Sequence, residues 1–224
     1  RAYSSKSLES VWILLLLPAI YTGEELEPFR EWRSARSYAG MCSIGGSYVP
    51  DSIEGYYLTP WDLGYGPFVK FDHDFIGREA LEKIAAGPHR KKVTLALDNE
   101  DVMRVQSSAL SKGERAKFME YPSAVYAMHP FDEVRAEDGS LAGLSTWIGY
   151  TANEGKFLTL AMLEPQYAEP GTKVSLIWGE PNGGTRKPTV EPHVQTPIKA
   201  VVAAVPYVEA ARDNYAEGWR TKGA

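Results

Sequence analysis

Short apolar runs in the second half of the chain alternate with glycine, proline and aspartate, a spacing typical of strands joined by tight turns. The predicted strands are 93–97, 126–128, 132–134, 144–150, 157–163, 173–178 and 198–203. Asp138-Gly139, which lies between two of these runs, is a hairpin signal. Several short strands at this spacing predict a small antiparallel β-barrel.

A helical period appears in two places, and a third stretch is a polar insertion. The segment 76–86 places four apolar residues on one face, with Asp74 or Gly77 near the N-cap and Gly87-Pro88 as the stop. The four residues are Ile76, Ala80, Leu81 and Ile84. A short helix is expected within 25–32, and the polar stretch 109–119 is expected to be an insertion, for which a helix is one interpretation.

Two apolar stretches in the first half favour strands. The run from Val11 to Ile20 is shorter than the roughly 20 residues that a membrane span needs. A signal peptide is also a poor fit, because only Arg1 and Lys6 precede the run as positive charges, Glu9 lies just before it and no cleavage site follows, so a buried strand is the expected structure. Phe68, Val69 and Phe71 suit a second strand.

Composition narrows the class of protein. Hydrophobic residues make up 44% of the 224 residues and charged residues 24%, which is ordinary for a soluble domain. The net charge of −5 argues against a nucleic-acid partner. Cys42 is the single cysteine, so no internal disulfide forms, which suits the cytoplasm. The four histidines lack ligand spacing, so no metal site is expected.

Three stretches carry a resemblance to a known family. They are Tyr56–Gly66, Phe68–Leu81 and Trp178–His193. The first two resemble the glycine cleavage T-protein (GcvT) family of folate-binding aminomethyltransferases. Tyr56-Tyr57 before Leu58-Thr59-Pro60, together with the third stretch, is most similar to the tetrahydrofolate-dependent aryl O-demethylases of that family, which act on vanillate, syringate or 3-O-methylgallate.

The resemblance implies an α+β fold in two parts. Residues 1–88 correspond to the C-terminal portion of the folate-binding region with its linker helix, and residues 89–224 to the C-terminal β-barrel. The chain starts at Arg1, and the family's N-terminal half is absent from it. The expected partners are therefore that missing half, tetrahydrofolate as cofactor and a methoxylated aromatic substrate, with no nucleic acid and no membrane.

The resemblance also implies folate-binding residues. Tyr21-Thr22-Gly23-Glu24 is similar to the family turn whose glutamate accepts the pterin 2-amino and N3–H groups in a bidentate contact. Glu24 takes that role, with Tyr21 in the same turn, although a glutamate in a turn is often only a surface residue. Arg36 aligns with a family arginine, but Tyr38 replaces the glutamate beside it, and a solvated arginine is an equal alternative. Trp61 is expected to stack on the pterin or to fill a core.

Tyr56 is the candidate catalytic residue. Breaking an aryl methyl ether releases a phenolate, and an acid with a pKa near 10 can protonate or stabilise that oxygen, where a carboxylate would repel it. The resembled O-demethylases imply such a tyrosine in this segment. With 13 tyrosines in the chain, an ordinary core or rim aromatic is the alternative.

Three functions remain open from the sequence. The first is demethylation of a methoxylated aromatic acid with transfer of the methyl group to tetrahydrofolate. The second is another reaction of the same family, such as aminomethyl transfer or demethylation of a sulfonium or amine. The third is a non-catalytic folate-binding fragment. Tyr38 and the third stretch weigh against aminomethyl transfer.

Overall fold

A closed barrel of six antiparallel strands forms the centre of the computed structural model, which describes residues 2–13, 16–184 and 190–213. Its order is β2-β6-β5-β4-β7-β8, and the pairing of β2 with β8 closes it. These strands are β2 (Lys91–Leu97), β4 (Asp132–Ala136), β5 (Leu141–Thr151), β6 (Lys156–Leu163), β7 (Lys173–Trp178) and β8 (Thr196–Ala203). Two short strands, β1 (Ile44–Gly45) and β3 (His129–Pro130), pair in parallel beside the barrel.

The barrel confirms the main prediction from the sequence, including six of the seven expected strands and the turn at Asp138-Gly139. The run 126–128 is the exception, since it forms no strand. Tyr126 there donates its hydroxyl to the carbonyl of Phe118, and its ring faces Trp178. Side-chain contacts with the barrel therefore order this segment without a strand partner.

Strand β6 is buried on both faces, which explains its nearly continuous apolar sequence. Phe157 and Leu163 belong to the cluster inside the barrel. Leu158 and Leu160 face outward and pack against Leu8, in the first helix α1 (Ala2–Ser10). The N-terminal segment therefore covers the outer face of the barrel.

The predicted strand within 11–20 is wrong for the residues that the structure describes, and Leu14 and Leu15 lie outside them. Val11 and Leu17 are buried, but against the outer face of the barrel rather than in a sheet. Apolarity alone could not separate these two ways of burying a short run. No described helix is long and apolar enough to cross a membrane.

The strand expected around Phe68 is also wrong. Gly66–Phe68 is a single 3₁₀ turn, in which Pro67 has no N–H to give to a sheet, and Phe68 is largely exposed. The helix that follows is confirmed as α3 (Arg78–Ala85), with Gly77 at its N-cap in a left-handed conformation. None of its residues is fully buried: Leu81 is half-buried, and Ile76, which precedes the helix, is fully exposed.

The remaining helices confirm one prediction and correct another. The helix α2 (Glu27–Trp32) forms as expected after a 3₁₀ turn at Glu24–Leu26. The interpretation of 109–119 as a helix is wrong, since no helix forms there. The helix α4 (Asn99–Ser108) ends just before that stretch. Asp98 caps α4 by accepting the N–H of Asp101, and Val102 packs on the barrel.

A last short helix, α5, spans Glu209–Arg212. The domain boundary at 88/89 stays a prediction.

Gly143 in β5 should be far less tolerant of a side chain than Gly139 in the neighbouring turn. Both have positive φ, but a Cβ on Gly143 would lie 2.2 Å from the carbonyl oxygen of Met162, whereas one on Gly139 meets nothing within 4 Å. We expect Gly139→Ala to lower the free energy of unfolding by about 1 kcal/mol. Gly143→Ala should cost about 1–3 kcal/mol more. Urea unfolding of the two variants measures both values, and equal losses would contradict the predicted overlap.

Candidate functional site

Tyr56 lines a cleft of about 480 Å³ between the barrel and the segment that precedes it. Its lining residues are Ile44, Gly45, Gly46, Val49, Tyr56, Glu180, Pro181 and Asn182. The Tyr56 hydroxyl donates to the carbonyl of Tyr48 at 3.0 Å, and its ring lies 5.1 Å from that of Phe131. Burial, with a smaller contribution from Tyr48, raises the pKa of Tyr56 above its ordinary value. The hydroxyl is protonated at neutral pH and can donate its proton, although the raised pKa makes it a weaker acid than a free tyrosine.

The segment that carries Tyr48 is bound to the barrel by three successive N–H groups. Gly46 N–H donates to Glu180 Oε1 at 3.2 Å, and Ser47 N–H to Asp132 Oδ1 at 3.1 Å. Tyr48 N–H donates to the carbonyl of Phe131 at 3.0 Å. Ser47 adds its hydroxyl, which donates to the carbonyl of Ile177 and accepts the N–H of Glu133. This side of the cleft is fixed by main-chain hydrogen bonds.

A buried ion pair lies beneath the cleft. Lys117 Nζ is 2.7 Å from Glu180 Oε1, and both side chains are almost fully buried. The same ammonium lies 4.7 Å from the ring centroids of Tyr126 and Trp178, so aromatic faces share its charge. Burial alone would raise the pKa of Glu180, but the hydrogen bond and charge of Lys117 hold it below its ordinary value. Glu180 is therefore an anion within the protein.

His193 completes the cluster on the other side of Glu180. Its Nε2 lies 3.5 Å from Glu180 Oε2, and its Nδ1 lies 2.8 Å from the carbonyl of Glu191. Since a carbonyl only accepts, Nδ1 carries a proton. The turn Gly179–Gly184 wraps the ring so closely that a Cβ on Gly179 would lie 2.8 Å from it. The imidazole thus holds the turn that forms one wall of the cleft.

Asp132 is a second buried carboxyl beside this pair. Burial raises its pKa from 3.8 to about 6, although the Lys117 charge and the N–H of Ser47 act in the opposite direction. Glu180 adds to the rise by like-charge repulsion. Near neutral pH, two carboxylates thus lie close together with one lysine for partner.

The structure brings the predicted residues Tyr21 and Tyr56 into one apolar cluster on the outside of the barrel. Tyr21 donates its hydroxyl to the carbonyl of Ala39 at 2.8 Å. Burial, followed by the neighbouring Cys42, raises the pKa of Tyr21. Thr22 Oγ1 lies 3.4 Å from the Tyr57 hydroxyl, which connects this turn with the Tyr56 segment.

Glu24 begins the 3₁₀ turn and is exposed, with no side-chain hydrogen bond to another described residue. Gly23 precedes it at φ 85, and Arg30 donates to the carbonyl of Thr22 at 3.0 Å, so the turn is ordered although its carboxylate is free. Arg36 is also exposed, and only its backbone N–H is engaged, with Ser34 Oγ at 3.2 Å. Both side chains are accessible to a ligand.

Trp61 lies apart from the Tyr56 cleft. Its ring stacks on that of His89 at 5.1 Å and lines a separate cavity of about 950 Å³, with Tyr65, Phe68 and Lys92 among its walls. Burial lowers the pKa of Lys92. The structure does not bring Trp61 together with Tyr56, and a folate contact for Trp61 stays a prediction.

Sequence reasoning missed Lys117, Asp132, Glu180 and His193 as parts of this site. Lys117 and Glu180 are 63 residues apart, and Gly46 and Glu180 are 134 apart, so no local spacing relates them. Glu180 and His193 were noted only as members of the stretch Trp178–His193, which resembles the O-demethylases, and no role in a site was predicted for them. Residues 185–189 of that stretch lie outside the described chain.

Comparison with known proteins shows close relatives by sequence, while no family model matches the chain. The chain is 64% identical over its whole length to syringate O-demethylase of Sphingobium sp. strain SYK-6, of which it covers 48%. It is 31% identical over 180 residues, 75% of the chain, to sesamin methylene transferase of Sinomonas sp. strain No.22, of which it covers 37%. The chain thus spans about half the length, or less, of these relatives.

More distant likenesses are to aminomethyltransferases. The chain is 29% identical over 133 residues to a probable aminomethyltransferase of Haloarcula marismortui, covering 58% of the chain and 30% of that protein. A solved aminomethyltransferase T of the glycine cleavage system from Bartonella henselae superposes on 76% of the chain and 36% of its own, with 19% identity and a TM-score of 0.42. The resemblance found from the sequence is confirmed by the sequence relatives, and the barrel by the chain's own strand pairing.

Replacing Asp132 should change how stability depends on pH. A carboxyl whose pKa is raised by folding stabilises the folded state below its unfolded pKa and loses that contribution as pH rises through its folded pKa, here between about 4 and 6. Asp132→Asn is neutral throughout, so its free energy of unfolding should rise relative to wild type by about 2.5 kcal/mol between pH 4 and pH 7. Urea unfolding at several pH values measures the difference.

Asp138→Asn is the matched control. Asp138 is exposed in the β4–β5 turn, and its pKa is lowered by the side-chain and backbone hydrogen bonds of Ser140. Its replacement should therefore shift relative stability in the opposite direction as pH rises. The same pH profile for both variants would contradict a raised pKa at Asp132.

Proposed function

We propose that the chain is part of a tetrahydrofolate-dependent O-demethylase. The premise is that it belongs by sequence with syringate O-demethylase and is also related to a probable aminomethyltransferase. The reaction transfers the methyl group of a methoxylated aromatic acid, of the vanillate or syringate type, to tetrahydrofolate. The observation that carries this proposal is the 64% identity over all 224 residues. We assign the reaction to the cytoplasm, in keeping with the single cysteine.

We assign folate recognition to the turn around Glu24. The exposed carboxylate is free to accept two parallel N–H donors, the pattern that the edge of a pterin offers. Tyr21 supports the turn through its bond to Ala39, and Arg36 is available to a ligand carboxylate. Trp61 remains a proposed stacking residue at the separate cavity. Since the relatives are about twice as long, we propose that an N-terminal half supplies the rest of the site.

Tyr56 is the proposed acid. Tetrahydrofolate supplies the nitrogen that accepts the methyl group. As the bond between the methyl carbon and the aryl oxygen breaks, its electron pair stays on the oxygen, and Tyr56 donates its proton there. To do so, the hydroxyl exchanges its bond to the Tyr48 carbonyl for one to the substrate oxygen. The proton that the methylated nitrogen loses restores the Tyr56 hydroxyl, so no net proton is consumed.

Aminomethyl transfer is the second candidate, favoured by the 29% identity to a probable aminomethyltransferase. Tyr38 stands where that family carries a glutamate, and the higher identity to an O-demethylase favours demethylation. A folate-binding chain without catalysis is the third candidate. Turnover of vanillate, syringate and a glycine-derived aminomethyl donor separates the three.

Glu24→Ala should weaken tetrahydrofolate binding by about 1.5–3 kcal/mol, the contribution of hydrogen bonds to a charged group. Isothermal titration calorimetry of wild type and variant measures it. Glu25→Ala is the control, since Glu25 is equally exposed in the same turn and should bind as wild type does. Equal binding by both variants would remove Glu24 from the folate site, and no binding by the wild-type protein as its host produces it, with the N-terminal half present, would contradict a folate site on this chain.

Tyr56→Phe should lower kcat for demethylation by about 10²–10⁴-fold, because the phenolate then leaves without a proton donor. KM should change little, since the ring is retained. The assay follows vanillate or syringate demethylation in the protein as its host produces it. Tyr167→Phe, whose hydroxyl is bonded to Ser140 on an exposed turn, should keep full activity. Full activity of Tyr56→Phe would exclude it as the acid.

A further inference from the structure

Two buried carboxyl groups accept consecutive amide protons of one short segment. Glu180 takes the N–H of Gly46, and Asp132 takes that of Ser47. Both carboxyl groups are within the buried interior, at 5% and 2% exposure of the residue. Burying a carboxyl group without compensation costs several kcal/mol, so two buried carboxyl groups need other groups to stabilise them. We call the two hydrogen bonds, from Gly46 to Glu180 and from Ser47 to Asp132, the clamp.

Lys117 compensates this cost for Glu180. Its ammonium is 2.7 Å from Glu180 Oε1, the same oxygen that accepts the N–H of Gly46. The main chain of Lys117 is also held, because its backbone carbonyl accepts the indole N–H of Trp178 at 2.8 Å. On the far side, His193 faces Glu180 Oε2. The oxygen that holds Gly46 therefore has little freedom to move.

Gly46 fits so tightly that its position is defined by the barrel. It has φ 97, and a Cβ would lie 2.0 Å from the carbonyl oxygen of Phe131. That close approach is open only to glycine. The amide of Gly46 thus points at Glu180 while its α-carbon lies on the main chain of the barrel.

The clamp is connected through Tyr48 to Tyr56, the proposed acid. Tyr48 follows Ser47, and its carbonyl accepts the Tyr56 hydroxyl at 3.0 Å. The rings of Tyr48 and Tyr56 meet edge to face at 5.8 Å, which fixes the second ring relative to the first. A shift of Gly46 and Ser47 would therefore move both the acceptor and the ring wall of Tyr56.

We propose that Glu180 and Asp132 are positioning residues for Tyr56, which hold the segment 46–48 so that the Tyr56 hydroxyl lies at the cleft in a defined orientation. This inference rests on the proposed role of Tyr56 for its functional meaning. The geometric relation itself is independent of folate and of any substrate, since it concerns only this chain.

The test is the titration of the Tyr56 hydroxyl in the chain labelled with ¹³C at the tyrosine Cζ, followed by NMR. The loss of one signal in Tyr56→Phe identifies the resonance. In Glu180→Ala the clamp on Gly46 is lost, and the pKa of Tyr56 should fall from its raised value toward the ordinary value of about 10. In Glu180→Gln the amide oxygen still accepts the N–H of Gly46, and the wild-type titration should return.

This rescue separates positioning from stability. Both variants remove the carboxylate that pairs directly with Lys117, so both should unfold at lower urea concentration than wild type. A purely structural role for Glu180 would leave the Tyr56 titration unchanged in both, and that result would overturn the proposal. Glu164→Ala is the control, because it breaks an ion pair with Arg90 elsewhere on the barrel and should not affect Tyr56.

Hydrogen exchange on the unmodified chain keeps the proposal testable if Glu180→Ala does not fold. The amides of Gly46 and Ser47 should be protected like barrel amides, and far more than that of Gly155 in an exposed turn. Exchange as fast as that of Gly155 would overturn the clamp. Neither measurement includes folate or substrate. Absence of demethylation would therefore not change the results on the clamp, and absence of the clamp would not exclude demethylation.

Discussion

The buried pair of Lys117 and Glu180 is the interaction on which the arrangement of the cleft depends. Its carboxylate joins three parts of the chain: the segment at Gly46, the stretch at Lys117 before the barrel strand β4, and the turn after β7. A buried pair adds little net stability, but loss of one partner is costly because the other is left charged and unpaired. The pair therefore acts mainly by specifying one geometry, in which the wall that carries Tyr56 is fixed relative to the barrel.

The outer surface of the barrel is the second constraint. Leu158 and Leu160 point away from the barrel interior and are fully buried by the N-terminal segment, while Leu144 and Met162 are buried by the segment around Tyr48. The residues before the barrel thus depend on it for burial of their apolar side chains. This packing explains how a cleft forms between a rigid sheet and segments with little regular structure of their own, as is common for binding sites.

Predictions from the sequence were confirmed where the local residue pattern favours the same secondary structure that packing in the fold requires. The barrel strands have β-branched and apolar runs bounded by turn residues, and α3 has a glycine N-cap and a proline after its end. They failed for the described residues of 11–20, whose apolar side chains pack on the barrel without a strand partner, and for the residues around Phe68, which is largely exposed. The helix α4 was missed because its apolar residues are few, and its polar face dominates the pattern.

The sequence by itself determined the barrel strands, the kinship with O-demethylases, and Tyr56 and Glu24 as candidate residues. Only the tertiary structure decided that Tyr56 bonds to Tyr48 and that Trp61 lies at another cavity. It alone placed Glu180 against Gly46, a contact across 134 positions. The physical reason is that strand and turn patterns arise from interactions between near neighbours. A buried charge cluster, in contrast, is assembled by the closure of the barrel, and no local spacing records it.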